Sequence, residues 1–158
     1  MNGQKMLIGL KKWYLRNRIK VLGVLFIFAI LINIPPTFEI DPKVKKYVDE
    51  VVILSRGNLR GKTPIMLTKL EDPKIATCHF TAIRYIKVDP KAFFSYSEKE
   101  RTLIIAHELM HCECGIGHKE KLLKDLCPSS IMYPSTTFPS CTKKHWKRYV
   151  KELREVDC

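Results

Sequence analysis

Apolar and polar positions follow three different patterns along this chain, and each predicts a different kind of element. From Val21 to Phe38 no side chain is charged, and Val21–Ile34 is almost wholly apolar; such a run predicts one helix without a polar face. Pro35-Pro36 ends it. Asp41-Pro42 then reads as an N-cap followed by proline at the first helical position. Val44, Val48, Val51 and Leu54 recur at helical spacing, and Gly57-Asn58 or Gly61 closes that helix.

The period changes in the middle of the chain. Ile65, Leu67 and the stretch Thr81–Val88, with Ile83, Tyr85 and Lys87 on one face, predict strands punctuated by Asp72-Pro73 and Asp89-Pro90. Helical period returns at Ser97-Glu98-Lys99-Glu100, a capping-box pattern ahead of the apolar run Leu103-Ile104-Ile105-Ala106. It predicts a helix from about Glu98 to about Cys114, with Gly115 and Gly117 as its stop. A short helical turn over 119–126 and a Pro/Ser/Thr-rich loop over 127–141 are expected next. Thr142 then caps a last helix that buries Trp146, Tyr149, Val150 and Leu153. Strands followed by helices of this length predict an α+β domain.

Charge divides the 158 residues into parts. Residues 1–20 carry six basic side chains and no acidic one, whereas the remainder carries 22 basic and 16 acidic, so half of the net +12 belongs to the head. A basic head before an apolar run is the pattern of an export signal or a membrane anchor. Ala29 is the only alanine there, which argues against an A-x-A-like cleavage site. The expected organisation is a cytoplasmic segment over 1–20, an uncleaved signal anchor over 21–38 and a folded domain over 39–158 outside the cytoplasm. Secretion after signal cleavage is the alternative. The domain's residual charge of +6 comes with no nucleic-acid motif, so no nucleic-acid partner is expected. Lys143, Lys144, Lys147, Arg148 and Lys151 read as a solvated face of the last helix.

All six cysteines lie beyond the anchor, which suits disulfides in an oxidising compartment. Cys127 with Cys141 is the preferred pair, since it would staple the loop holding Met132.

The candidate chemistry is concentrated in one stretch. His107-Glu108-Leu109-Met110-His111 is an H-E-x-x-H motif within the best-defined helix. Residues four apart share a helical face, so both imidazoles reach one ion, and Glu108 is placed to serve as general base. A catalytic zinc takes three protein ligands. His118, past two glycines that let the chain turn back, is the first choice for the third; Cys114, Glu120 and Asp125 are the rivals.

His107–His111, Gly115, His118 and then Ser130-Ile131-Met132-Tyr133-Pro134 resemble the metzincin clan of zinc peptidases. That clan has the extended motif H-E-x-x-H-x-x-G-x-x-H and a Met-turn beneath the metal. The same residues are similar to small bacterial and phage metallopeptidases with H-E-L-x-H-C, a later His and an S-[IL]-M-x-P segment. The resemblance covers about Leu103–Pro134. It implies a zincin-like small sheet with an active-site helix, zinc on His107, His111 and His118, Glu108 as base and Met132 as the Met-turn residue. Gly115 stands four rather than three residues past His111, and His118 seven rather than six, so the spacing differs from the clan's by one.

These features predict a membrane-anchored, zinc-dependent endopeptidase acting on a peptide or protein substrate, with Thr81–Val88 as the edge strand that pairs with it. The competing expectation is a non-catalytic exported module whose small fold is held by structural zinc or by disulfides.

Overall fold

In the computed structural model, which describes residues 39–135 and 139–158, the first helix starts where Asp41-Pro42 foretells it. This helix, α1 (Pro42–Leu54), is capped by the Asp41 carboxylate, which accepts the Lys43 N–H at 2.9 Å. Its start is tied to the sheet, because Asp41 N–H donates to the Ile65 carbonyl at 2.9 Å. Gly61 (φ +60°) follows in the left-handed region, and a Cβ there would meet Val48 Cγ1 at 2.7 Å. Only glycine allows the chain so close to α1.

Three strands form a mixed sheet: β1 (Ile65–Leu67), β2 (Ala76–His79) and β3 (Tyr85–Val88), in the order β1-β3-β2. β1 runs parallel to β3, with Ile65 opposite Ile86, and β2 runs antiparallel to it, with Cys78 opposite Ile86. The expected strand Thr81–Val88 is corrected on two counts. Only its second half is extended in the sheet, and β3 is the central strand, so the edge nearest the histidine helix is β2. Ile86 and Val88 are buried, whereas Tyr85 and Lys87 are half-exposed.

A short helix, α2 (Pro90–Phe94), follows, capped by Asp89, whose carboxylate accepts the N–H groups of Ala92 and Leu70. Next comes α3 (Glu98–Cys114), the element around which the rest is built. Its capping box forms, with the Glu100 carboxylate accepting the Ser97 N–H at 2.8 Å. Gly115 ends it at φ 68°. α3 packs against α1 on one side and against β2, β3 and the last helix, α4 (Pro139–Arg154), on others. Ile104, Ile105, Leu109 and Met110 are therefore buried together with Val44, Tyr47, Ile86 and Leu153. Each such side chain contributes about 1.5–3 kcal/mol by leaving water.

Two further expectations are corrected. Residues 119–126 form no helical turn; Leu122 pairs instead with Pro128 in an isolated antiparallel bridge. The last helix starts at Pro139 rather than being capped at Thr142, and its helical geometry breaks at His145 (φ −109°, ψ 17°).

Disulfides join Cys78 to Cys112, Cys114 to Cys158 and Cys127 to Cys141. The first ties edge strand β2 to α3, one residue past His111. Closing loops of 34, 44 and 14 residues restricts the unfolded chain by about 3–4 kcal/mol each on the chain-entropy argument. The cytoplasmic segment and signal anchor expected over 1–38 lie outside the described residues. Among the described residues no helix is long and apolar enough to cross a membrane.

Candidate metal centre

The i, i+4 spacing on α3 brings His107 and His111 together, with their Nε2 atoms 3.0 Å apart. Gly115 lets the chain leave the helix and fold back, and this return brings His118 to the same point. His118 Nε2 lies 3.0 Å from His111 Nε2 and 3.3 Å from His107 Nε2. Burial falls along the series, from His107 (buried) through His111 (half-buried) to His118 (exposed), so the cluster opens to solvent on one side.

The other ring nitrogens decide what these contacts mean. His107 Nδ1 is 2.8 Å from the Ile131 carbonyl, and His111 Nδ1 is 2.6 Å from the Ile116 carbonyl. A carbonyl only accepts, so both Nδ1 atoms carry the proton. In a neutral imidazole the Nε2 atoms are then bare lone pairs, and lone pairs 3.0 Å apart repel unless a cation stands between them. Protons are a poor choice for that cation. Burial, above all, holds His107 down to about 4, against the raising effect of its Ile131 bond and with the neighbouring histidines lowering it further. Burial also lowers His111. A metal ion fits better: nitrogens at about 2.0–2.1 Å from a tetrahedral ion stand about 3.3 Å apart. The three converging imidazoles could thus hold an ion, with a backbone carbonyl fixing the His107 ring and another the His111 ring.

The rival third ligands are not in this cluster. Cys114 is bonded to Cys158 and has no thiolate to offer. Glu120 is exposed and outside the group. Asp125 is held by Lys144 at 2.6 Å and by His145 at 2.8 Å. Asp125, Cys127 and His145 do lie within 4.8 Å of one another, but Cys127 is spent in its disulfide. His79 lies outside the cluster and stacks on Tyr85 with ring centroids 4.8 Å apart.

Glu108 follows His107 on α3 and is buried. Loss of water around the carboxyl raises its pKa to about 7, and a backbone N–H bond from Cys78 works in the opposite direction. Both His107 and Glu108 open into a cleft of about 480 Å³ lined also by Ile75, Ala76, Tyr96 and Pro134. The segment from Pro73 to Ala76, which leads into β2, forms one wall of it. Asp89 N–H donates to Ile75 O, and antiparallel bonding alternates from that pair, so Thr77 and His79 face β3. The backbone groups of Ala76 and Cys78 face away from β3, and the Cys78 N–H reaches Glu108.

Met132 is fully buried. Its own N–H donates to Ser130 Oγ at 3.0 Å, and its carbonyl accepts the Lys119 N–H at 2.8 Å. The loop around it therefore supplies the Ile131 carbonyl to His107 and braces the segment carrying His118.

Sequence reasoning missed β2, whose four residues are all half-buried and show no apolar alternation. It also missed Glu152 of α4, whose carboxylate accepts the Ile131 N–H at 2.8 Å. No protein-family model, curated protein or solved structure matches the chain.

Proposed function

We propose that this chain is a zinc-dependent endopeptidase of metzincin-like kind, anchored to a membrane through residues 21–38. The observation that carries the metal is the convergence of three Nε2 atoms 3.0–3.3 Å apart, two of them, on His107 and His111, left bare by their carbonyl-bonded Nδ1 atoms. Three imidazoles suit zinc among the common first-row ions. A hydrolytic rather than structural role is supported by the buried carboxyl of Glu108 in the same cleft. The three disulfides already staple this small fold, so it has little need of a metal for stability.

Zinc on His107, His111 and His118 would polarise the scissile carbonyl and acidify the attacking water. Glu108 takes the proton of that water as the new carbon–oxygen bond forms. It then delivers the proton to the leaving nitrogen as the carbon–nitrogen bond breaks. Extended substrate lies along β2, where the outward backbone groups of Ala76 and the Cys78 carbonyl offer strand-like hydrogen bonds, the Cys78 N–H being engaged by Glu108. This edge takes the part assigned from sequence to Thr81–Val88.

The test uses the full chain in detergent with a mixture of unstructured peptides, new termini being read by mass spectrometry. Cleavage is expected, lost on chelation and restored by stoichiometric zinc. Cleavage indifferent to chelation, or none by a zinc-loaded chain across a broad mixture, counts against a zinc peptidase and favours the non-catalytic exported module.

A further inference from the structure

The H-E-x-x-H helix does not fix its own first histidine. The Ile131 carbonyl does so at 2.8 Å, and Ile131 sits in a loop with no regular secondary structure. What holds that loop comes from the far end of the chain. Glu152, near the end of α4, is only 19% exposed. One of its oxygens accepts the Ile131 N–H at 2.8 Å and the other accepts the Ser130 hydroxyl. Having donated, Ser130 Oγ accepts the Met132 N–H at 3.0 Å. Lys119 closes the circuit: its N–H donates to the Met132 carbonyl at 2.8 Å, and its Nζ lies 3.6 Å from Glu152. One carboxylate thus gathers three consecutive residues, 130–132, and the residue next to His118.

We propose that Glu152 is a positioning residue of the metal centre. By clamping Ser130 and Ile131 it holds the Ile131 carbonyl against His107 Nδ1, which sets the tautomer and ring orientation of that histidine. Through Met132 and Lys119 it also braces the segment carrying His118. Outer partners of this kind usually change metal affinity about 10–100-fold when removed. The inference rests on the three histidines being metal ligands, as proposed above.

A purely structural role for Glu152 makes a different prediction, and Tyr149 supplies the comparison. Its hydroxyl also ties α4 to this loop, donating to the Pro128 carbonyl at 2.9 Å, but among the described residues no hydrogen bond joins Pro128 to a histidine. Tyr149→Phe should therefore lower the unfolding temperature while leaving the centre unchanged. Glu152→Gln keeps the shape but replaces one acceptor oxygen with a donor facing Ser130, and Glu152→Ala removes both oxygens.

The experiment measures zinc affinity by chelator competition, and the visible spectrum of the cobalt(II)-loaded full chain, for the parent and the three variants. Nitrogen-15 NMR of the metal-free proteins follows exchange of the His107 Nδ1 proton. Glu152→Gln is expected to weaken zinc about 10-fold and Glu152→Ala about 100-fold. Both should shift the cobalt bands and speed Nδ1 proton exchange at least about tenfold, while Tyr149→Phe does none of these. Should Glu152→Ala not fold, Glu152→Gln carries the test. Unchanged affinity, spectrum and exchange in Glu152→Gln overturn the proposal, as does a Tyr149→Phe variant that reproduces its effects. The proton-exchange arm needs no metal. A parent that protects the His107 proton in a Glu152-dependent way yet binds no zinc would end the zinc reading and leave the positioning role standing.

Discussion

Replacing Glu108 with glutamine is expected to lower peptide hydrolysis by about 10²–10⁴-fold, the usual range for a positioned general base, while zinc stays bound. Glutamine preserves the volume of a buried side chain and leaves His107, His111 and His118 untouched. What it removes is the site that takes and returns a proton. The pH dependence sharpens this expectation. Burial raises the Glu108 pKa to about 7 in the metal-free protein, so the carboxyl is protonated, and useless as a base, below that pH. Parent activity is therefore lost as pH falls. A cation at the three histidines favours the carboxylate, which places the acid limb at or below pH 7. In Glu108→Gln that limb should vanish with the activity. Rates across pH 5–9 for both proteins check the point, and a variant with parent-like turnover would remove Glu108 from the chemistry.

The second large effect is expected at His118. His118→Ala should weaken zinc by more than the roughly 10–100-fold typical of outer partners, because it removes a proposed direct ligand that no other His, Cys, Asp or Glu among the described residues replaces in the cluster. Cys114 is locked to Cys158, and Asp125 is engaged by Lys144 and His145. The fold should survive, since His118 is exposed and three disulfides hold the chain. Zinc per chain after dialysis against a weak chelator reads the result. A variant that keeps its zinc would move the third ligand elsewhere.

Much of this site is legible in the sequence because its signals are local. The ends of α3 are set by a capping box at Ser97–Glu100 and by Gly115, both within one turn of the termini they define. Helical spacing alone puts His107 and His111 on one face, and two glycines before His118 suffice to suggest a return of the chain. Elements that depend on distant partners are not legible in this way. β2 owes its place to pairing with β3 and to the Cys78–Cys112 link, and Ala-Thr-Cys-His carries no period that would announce a strand. Reading Thr81–Val88 as the substrate edge failed because strand order is a tertiary property: β1 and β2 both pair with β3. Glu152 looks in sequence like one acid among the bases of the last helix. Its importance comes from contacts with Ser130 and Ile131, about twenty residues away. The Cys127–Cys141 pair was within reach of sequence because it closes a short loop, whereas the pairs at separations of 34 and 44 residues had no local signal.

The most direct measurement is X-ray absorption at the zinc edge on the zinc-loaded, oxidised full chain. Three imidazole nitrogens and one further light atom from solvent are expected at about 2.0–2.1 Å, with no sulfur. A fourth position held by solvent is what hydrolysis requires. Sulfur at about 2.3 Å, or four ligands all from protein, would mark a closed structural site and contradict the assignment of a zinc peptidase.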